Sequence, residues 1–526
     1  MAEPSFRYRD GLSYEDLVDG FTYVIPDHFN LGAACTDQQS QAATAVISVD
    51  ATGAAVTTSY GELADRTSRL AAGLAGLGVE RGDRVGVVAP QSLEVGIAHL
   101  AIWKLGAVSL PLASLFGPDA LRYRLTDSGA KLAIVSADNR DKVIEAVPGL
   151  EILDTGAELL EAMSGPALEA VADTSAEEPV FLIYTSGTTG PPKGALHAHR
   201  TIFGHLPAFE LYYDFAPTPG DVIWTPADWA WIGALMDVVI PAWYHGMAVL
   251  TADLDFDPHG AVRLMSEHDV TLAFLPPTAL KMMRAAGVDG SALNLRAIFT
   301  GGEALGEEML VWARRELGCP INEGYGQTEA NIVVGNSSRV WPVRPGSMGR
   351  AIPGHVVQVQ DDDGNRLVDE VGEIVVKAPD PVMMLEYWAR PDATDAKFRN
   401  GWLLTGDLGR EDVDGYLWFE SRKDDVISSM GYRIGPGEIE ESLMSHPAVA
   451  MCAVIGVPDD IRGQVPAAFV VVNDGVEATD ELAAELQHHV RSRLAAHEVP
   501  RRVTFLEELP RTTTGKIMRR ALRTDV

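Results

Sequence analysis

The chain has 526 residues, 46% of them hydrophobic, with a mean hydropathy of +0.03, enough apolar material to bury a large core in more than one domain. Its 74 acidic and 42 basic side chains leave a formal charge of −32. That balance argues against nucleic acid or an anionic membrane surface as a partner, since both need an electropositive face. Three widely spaced cysteines, Cys35, Cys319 and Cys452, form neither a disulfide framework nor a metal-ligand spacing.

Residues 1–19 mix Arg7, Arg9, Asp10, Glu15 and Asp16 with few apolar side chains, and no apolar run approaches a membrane span. Neither a signal peptide nor an anchor is expected, and the cytoplasm is the expected location. Short apolar runs bounded by Gly, Pro or Asp predict buried strands at 84–89, 131–136, 180–184, 248–251 and 271–275. Helical patterns lie among them at 92–105 and at 304–317, the latter stopped by Gly318. This alternation predicts a layered α/β fold. From about Val356 the texture changes to short alternating strands with Asp363-Gly364 and Asp414-Gly415 turns, a β-rich subdomain ending near Phe419. A charged connector, Ser421-Arg422-Lys423-Asp424-Asp425, precedes a predicted helix at 437–446, strands at 451–457 and 467–472, and a helix at 481–495. The expected organisation is a large N-terminal domain at 1–421, a hinge at 422–425 and a small mobile α+β domain at 426–526.

The most informative stretch follows the run at 180–184: Tyr184-Thr185-Ser186-Gly187-Thr188-Thr189-Gly190-Pro191-Pro192-Lys193-Gly194. Its hydroxyls offer donors, Gly187 and Gly190 let backbone N–H groups approach an anion, and Lys193 supplies positive charge, the makings of a polyphosphate clamp. It is not a Walker A loop, because Pro192 precedes the lysine and Gly194 follows it. The string resembles the phosphate loop of the adenylate-forming superfamily, which includes acyl-CoA synthetases, peptide-synthetase adenylation domains and luciferases. The resemblance implies ATP as substrate, bound by Thr185, Ser186, Gly187, Thr188, Thr189, Gly190 and Lys193.

Further segments resemble the same family. Glu323-Gly324-Tyr325-Gly326-Gln327-Thr328-Glu329 combines an aromatic face, a hydroxyl and a carboxylate. The resemblance implies Tyr325 beside the adenine, Thr328 at the α-phosphate and Glu329 on Mg²⁺, a cation that prefers hard oxygen ligands. Gly301-Gly302-Glu303-Ala304 is similar to the turn on the adenine side. Asp407, in Thr405-Gly406-Asp407, and Arg422 match the pair that holds the ribose hydroxyls, for which a carboxylate accepting two hydrogen bonds is suited. In isolation an Asp after Gly reads as an exposed turn residue. Pro510-Arg511-Thr512-Thr513-Thr514-Gly515-Lys516 matches the motif whose lysine reaches the substrate carboxylate and α-phosphate, so Lys516, with Thr328 and Glu329, is expected to carry catalysis. Tyr60-Gly61-Glu62-Leu63 is a weaker match near the N-terminus.

Adenylation and thiol transfer need different partners at one carboxyl carbon. In the family the C-terminal domain turns about a charged hinge residue, here Asp424. Ser428-Ser429-Met430-Gly431-Tyr432-Arg433 is implied to swing in for the second step, with Ser429, Gly431 and Tyr432 at coenzyme A and Arg433 at phosphate. By resemblance Trp231, Ile232, Gly233, Gly301 and Gly326 line the acyl pocket. Gly326 stands where acetyl-CoA synthetases carry a tryptophan, which predicts an open pocket and an acid larger than acetate: medium-chain, branched or aromatic. His197 and His199 are expected to pack or turn the chain rather than react. Because the sequence stops at Val526 without a carrier segment, free coenzyme A is the expected acceptor. A stand-alone enzyme that loads a carrier protein and a non-catalytic nucleotide sensor remain as alternatives.

Overall fold

The computed structural model describes residues 4–185, 191–252, 254–302, 305–423, 425–429, 432–459, 463–494, 498–511 and 517–523. Among them the chain builds sheets of fifteen, seven and five strands. The first two share a core. The helix Leu93–Lys104 lies in it with every residue but Glu94 buried, which is why its sequence shows no polar stripe. Ser92 starts this helix by accepting a hydrogen bond from the Val95 N–H at 3.3 Å. The weak match at Tyr60 is likewise a helix start: Ser59 and Glu62 form a capping box at the head of Tyr60–Gly76.

In the seven-stranded sheet, Arg84–Val88, Val108–Leu112, Leu132–Val135 and Glu151–Asp154 run parallel, and Pro179–Thr185 joins them beside Val108–Leu112. Pro179–Thr185 then pairs antiparallel with Lys193–Ala198, so the Thr- and Gly-rich string is the connection of a hairpin at the sheet's end. Glu386–Tyr387 closes that edge against Lys193–Ala198.

The fifteen-stranded sheet changes character halfway. Thr44–Val49, Ala248–Ala252, Val222–Trp224, Leu272–Phe274, Ala297–Gly301 and Ile321–Gln327 are parallel neighbours. From Ala330–Gly335 onward every pairing is antiparallel, through Gly349–Ala351, Tyr416–Arg422, Trp402–Glu411, Val371–Lys377 and Val357–Gln360. The β-rich segment is therefore continuous by hydrogen bonds with the parallel half. Gly364 (φ 90°) and Gly415 (φ 79°) make the anticipated Asp-Gly turns in it. In α/β sheets ligands collect beyond the carboxyl ends of parallel strands, where the strand arrangement changes. Here that place is the hairpin between Ile321–Gln327 and Ala330–Gly335.

The third sheet, Ile427–Ser429, Tyr432–Ile434, Gly463–Val472, Val449–Asp459 and Arg502–Phe505, has its own core. It is filled by Ile439 and Leu443 of the helix Pro436–Met444 and by Leu486 and Val490 of Asp480–Arg491. The fold is thus a large layered α/β domain with a β-rich part and a small α+β C-terminal domain. Among the described residues no helix is long and apolar enough to cross a membrane.

Candidate active site

Thr185 ends one strand of the phosphate-loop hairpin and Lys193 begins the other, cross-strand partners whose connection at 186–190 lies outside the described residues. Lys193 Nζ sits 5.2 Å from the centre of the Tyr387 ring. The Tyr387 hydroxyl donates to Glu329 Oε1. Glu329 occupies, with Thr328, the tip of the hairpin between Ile321–Gln327 and Ala330–Gly335, and it is buried. The lysine of one motif and the carboxylate of another, 136 positions apart by subtraction of their numbers, are thus joined through one tyrosine that neither motif contains. Among the described residues no group of three or more His, Cys, Asp or Glu could hold a metal ion. A cation at Glu329 would depend on that carboxylate and on oxygens of a bound nucleotide, an arrangement that suits Mg²⁺.

Asp407 forms the second part. It is not the exposed turn residue that a Gly-Asp step suggests: it lies within Trp402–Glu411, only 4% exposed, directly across from Arg422 in the antiparallel register. Arg422 Nη1 stands 3.0 Å from Asp407 Oδ1, and Oδ2 accepts from the Tyr325 hydroxyl at 2.6 Å and from Gln327 Nε2 at 3.2 Å. Burial raises the Asp407 carboxyl above its ordinary range, and the Arg422 charge opposes that shift. Lys397 Nζ donates to Gln327 Oε1 and to the Leu404 carbonyl, each at 3.1 Å, and burial lowers its pKa while Glu329 and Asp407 pull it back up. Lys397 and Tyr387 carried no motif signal, since their relevance comes only from strands that bring them beside the hairpin tip.

Glu323 lies deeper. Its Oε1 accepts from the Leu305 N–H at 3.2 Å, its Oε2 is buried without a hydrogen-bond partner among the described residues, and burial pushes its pKa up to about 7. Gly324 answers to packing: a Cβ there would meet Phe299 at 2.6 Å and Tyr212 at 2.8 Å, two rings stacked with centroids 4.3 Å apart. A Cβ on Gly301 would meet the Gly324 carbonyl at 2.8 Å.

A cavity of about 60 Å³ opens beside this cluster. Trp231, Ile232, Gly233, Gly301, Gly302 and Gly326 line it together with Thr328 and Gln327. Trp229, by contrast, is fully buried against Trp243. The expectation that Gly326 opens the pocket is corrected by the backbone. The pairing between Tyr325 and Gln327 slips, Ile332 adopts φ 42°, and a Cβ on Gly326 would lie 2.1 Å from the Ile332 nitrogen. The space that a side chain at 326 would enter is filled by the neighbouring strand. The cavity also exposes what the motifs missed, Asp237 and Asn331.

His197 stacks on Phe181 at 4.8 Å and His199 Nδ1 accepts from the Leu31 N–H at 3.2 Å, both fully buried packing roles. Ser429 is buried in the strand Ile427–Ser429, opposite Tyr432 and Gly463. Arg433 pairs with Ser428 through the backbone. Ser186, Gly187, Thr188, Thr189, Gly190, Glu303, Ala304, Asp424, Gly431 and Lys516 lie outside the described residues.

A topological switch point lined by an acidic and basic cluster and flanked by a small cavity is the place where an α/β enzyme takes its ligands. Comparison with known proteins specifies the class. The profile described as AMP-binding enzyme matches residues 34–388, and that of the AMP-binding enzyme C-terminal domain matches 438–516. The chain is 33% identical over 534 residues to an uncharacterized acyl-CoA ligase, YtcI, of Bacillus subtilis, covering 97% of this chain and 98% of that protein. It is 34% identical to the mitochondrial acyl-coenzyme A synthetase ACSM4 of Mus musculus, covering 99% and 96%. The crystal structure of ATP-bound MatB from Rhodopseudomonas palustris superimposes with a TM-score of 0.85 at 29% identity, over 94% of this chain and 98% of that one. The chain belongs to the AMP-binding enzyme family of the adenylate-forming superfamily, as an AMP-forming acid–thiol ligase of the acyl-CoA synthetase branch.

Proposed function

We propose that the protein joins a short carboxylic acid, larger than acetate, to coenzyme A through an acyl-adenylate, with ATP converted to AMP and pyrophosphate. In the first step a carboxylate oxygen attacks the α-phosphorus and the bond to the β-phosphate oxygen breaks, releasing pyrophosphate. In the second the thiol sulfur attacks the acyl carbon, loses its proton to solvent, and AMP departs. The convergence of Lys193, Glu329, Asp407 and Arg422 beside a small cavity is the observation that carries this reading.

The first step brings two anions together, so the work of the site is charge neutralisation and positioning. Thr185, Lys193 and the intervening string would hold the phosphates, with Lys516 at the substrate carboxylate and the α-phosphate. Asp407, braced by Tyr325 and Gln327, would accept both ribose hydroxyls beside Arg422. Glu329 would hold Mg²⁺, which supplies neutralisation of the phosphate charge when bound. The cavity of about 60 Å³ supports a short acyl chain in place of the medium-chain or aromatic acids suggested by Gly326 alone. Division at 422–425, with Asp424 as hinge, would let the segment with Ser429, Gly431 and Tyr432 replace Lys516 for the thiol step.

Pyrophosphate release over a panel of short acids, with and without coenzyme A, tests the reading. Thioester must form with free coenzyme A; adenylate that accumulates in its presence points instead to carrier-protein loading. Lys516→Ala is expected to slow adenylation about 100-fold or more while leaving thioester formation from supplied acyl-adenylate intact. An unchanged adenylation rate would remove Lys516 from the first step.

A further inference from the structure

The inner wall of the acyl cavity is polar where an acid with a hydrocarbon tail would need it apolar. Asp237 stands alone as a charged type in the run Ile232-Gly233-Ala234-Leu235-Met236-Asp237-Val238-Val239-Ile240, on a single π-helical turn, Leu235–Val239, inserted between two α-helical segments. Such turns widen a helix locally and commonly mark functional positions. The side chain is 6% exposed and lines the cavity.

Its partners leave one oxygen uncommitted. His205 donates from Nδ1 to the Thr201 carbonyl at 2.7 Å, which makes its Nε2 an acceptor, and burial lowers its pKa to about 4 so that the ring is neutral. Asn331 Nδ2 donates one hydrogen to that Nε2 at 3.3 Å and the other to Asp237 Oδ1 at 2.6 Å. Both amide hydrogens are then used. Asp237 Oδ2 has no hydrogen bond among the described residues, and it faces Gly233, where an added Cβ would come to 3.5 Å from it. That is ordinary contact distance, so Gly233 and the oxygen lie side by side on the cavity wall. Asn331 reaches the wall because the strand Ala330–Gly335 slips in register and turns through the positive φ of Ile332. A strained residue is therefore spent on presenting an amide to a buried carboxyl.

A carboxyl oxygen on a cavity wall with no protein partner gains its hydrogen bond from water or from a ligand group that enters. We propose that Asp237, oriented by Asn331 and His205, is a specificity-determining residue that takes a hydroxyl or amino group carried on the short acid substrate. A hydroxyl satisfies Oδ2 as donor or acceptor, and an ammonium pairs with it as a carboxylate. Plain hydrocarbon acids leave it unmatched. The inference rests on the ligase reading, with the acid bound in this cavity.

The test compares acids matched in shape: 3-hydroxybutyrate against 3-methylbutyrate, and 4-aminobutyrate against pentanoate, read as kcat/KM for pyrophosphate release. The polar member of at least one pair is expected to win by about 100-fold or more, since a site built to hydrogen-bond a substrate group rejects the analogue lacking it. Asp237→Leu should abolish that preference, whereas Asp237→Asn should retain the hydroxy acid and lose the amino acid. Thermal melting with ATP checks that both variants fold. Calorimetry with the matching acyl-sulfamoyl adenosines gives a second measure that needs no turnover. Equal or better use of the methyl-bearing acids by the wild type, or equal binding of the two sulfamoyl adenosines, overturns the inference. Release of pyrophosphate with none of the acids while the polar sulfamoyl adenosine binds preferentially would instead strike the ligase reading and uphold the pocket.

Discussion

Gly326 lines the cavity without widening it: the position of its missing side chain is 2.1 Å from a backbone nitrogen and 2.7 Å from the Asn331 carbonyl carbon. Backbone cannot swing aside as a side-chain end can, so Gly326→Ala is expected to lower stability by about 1–3 kcal/mol or more, seen as a lower Tm. Gly326→Trp should fail to fold rather than turn the enzyme toward acetate; a folded, acetate-preferring Gly326→Trp would show that the strand yields. Glu323 carries a different residue-scale consequence. Its folded pKa, about 7, lies above its ordinary 4.5 because burial penalises the charge. The folded state therefore holds a proton that the unfolded chain releases from about pH 4.5 upward, and this contribution to stability is lost as pH rises through 7. The difference is on the order of 3 kcal/mol. Glu323→Gln should melt higher than wild type at pH 8 and lose that advantage near pH 4.5, measured without nucleotide; parallel melting profiles across the range would refute the assignment.

At the scale of elements, the hairpin of Ile321–Gln327 and Ala330–Gly335 does most to build the site. Its tip presents Thr328 and Glu329, one strand sends Tyr325 and Gln327 to Asp407, and the slipped register of the other sends Asn331 to Asp237. In the C-terminal domain the analogous anchor is the short helix Arg519–Leu522. Arg519 Nη2 is 2.7 Å from Glu440 Oε2 and Nη1 is 3.5 Å from Asp425 Oδ2, which ties the chain beyond the connector to the helix Pro436–Met444. Removing one partner of a largely buried ion pair leaves the other unpaired in low dielectric. Arg519→Met should cost about 3 kcal/mol and loosen the C-terminal domain first, read as faster hydrogen exchange over the helix Pro436–Met444 than over the parallel strands; uniform exchange across both would place the cost elsewhere.

Over the whole molecule, sequence patterns located strands and helices well where an apolar run is bounded by capping or turn residues. The expected helix at 92–105 is Leu93–Lys104, and the strand at 84–89 is Arg84–Val88. The helix expected from 304 starts only at Glu307, after Gly306 at φ 80°, because glycine there sets the turn into the helix. Among the described residues eight strands of two or three residues, such as Val222–Trp224 and Gly349–Ala351, are too short to show a period. The class of enzyme was legible because an enzyme that must present fixed functional groups to a fixed ligand writes them locally as strings such as Thr185 to Lys193. The join of the β-rich segment to the parallel half, the tyrosine between Lys193 and Glu329, the filled space at Gly326 and the polar wall of Asp237 and Asn331, backed by His205, were settled only by tertiary structure. Each depends on backbone register and on contacts between residues tens to hundreds of positions apart, and no local pattern encodes where a slipped strand places its next side chain.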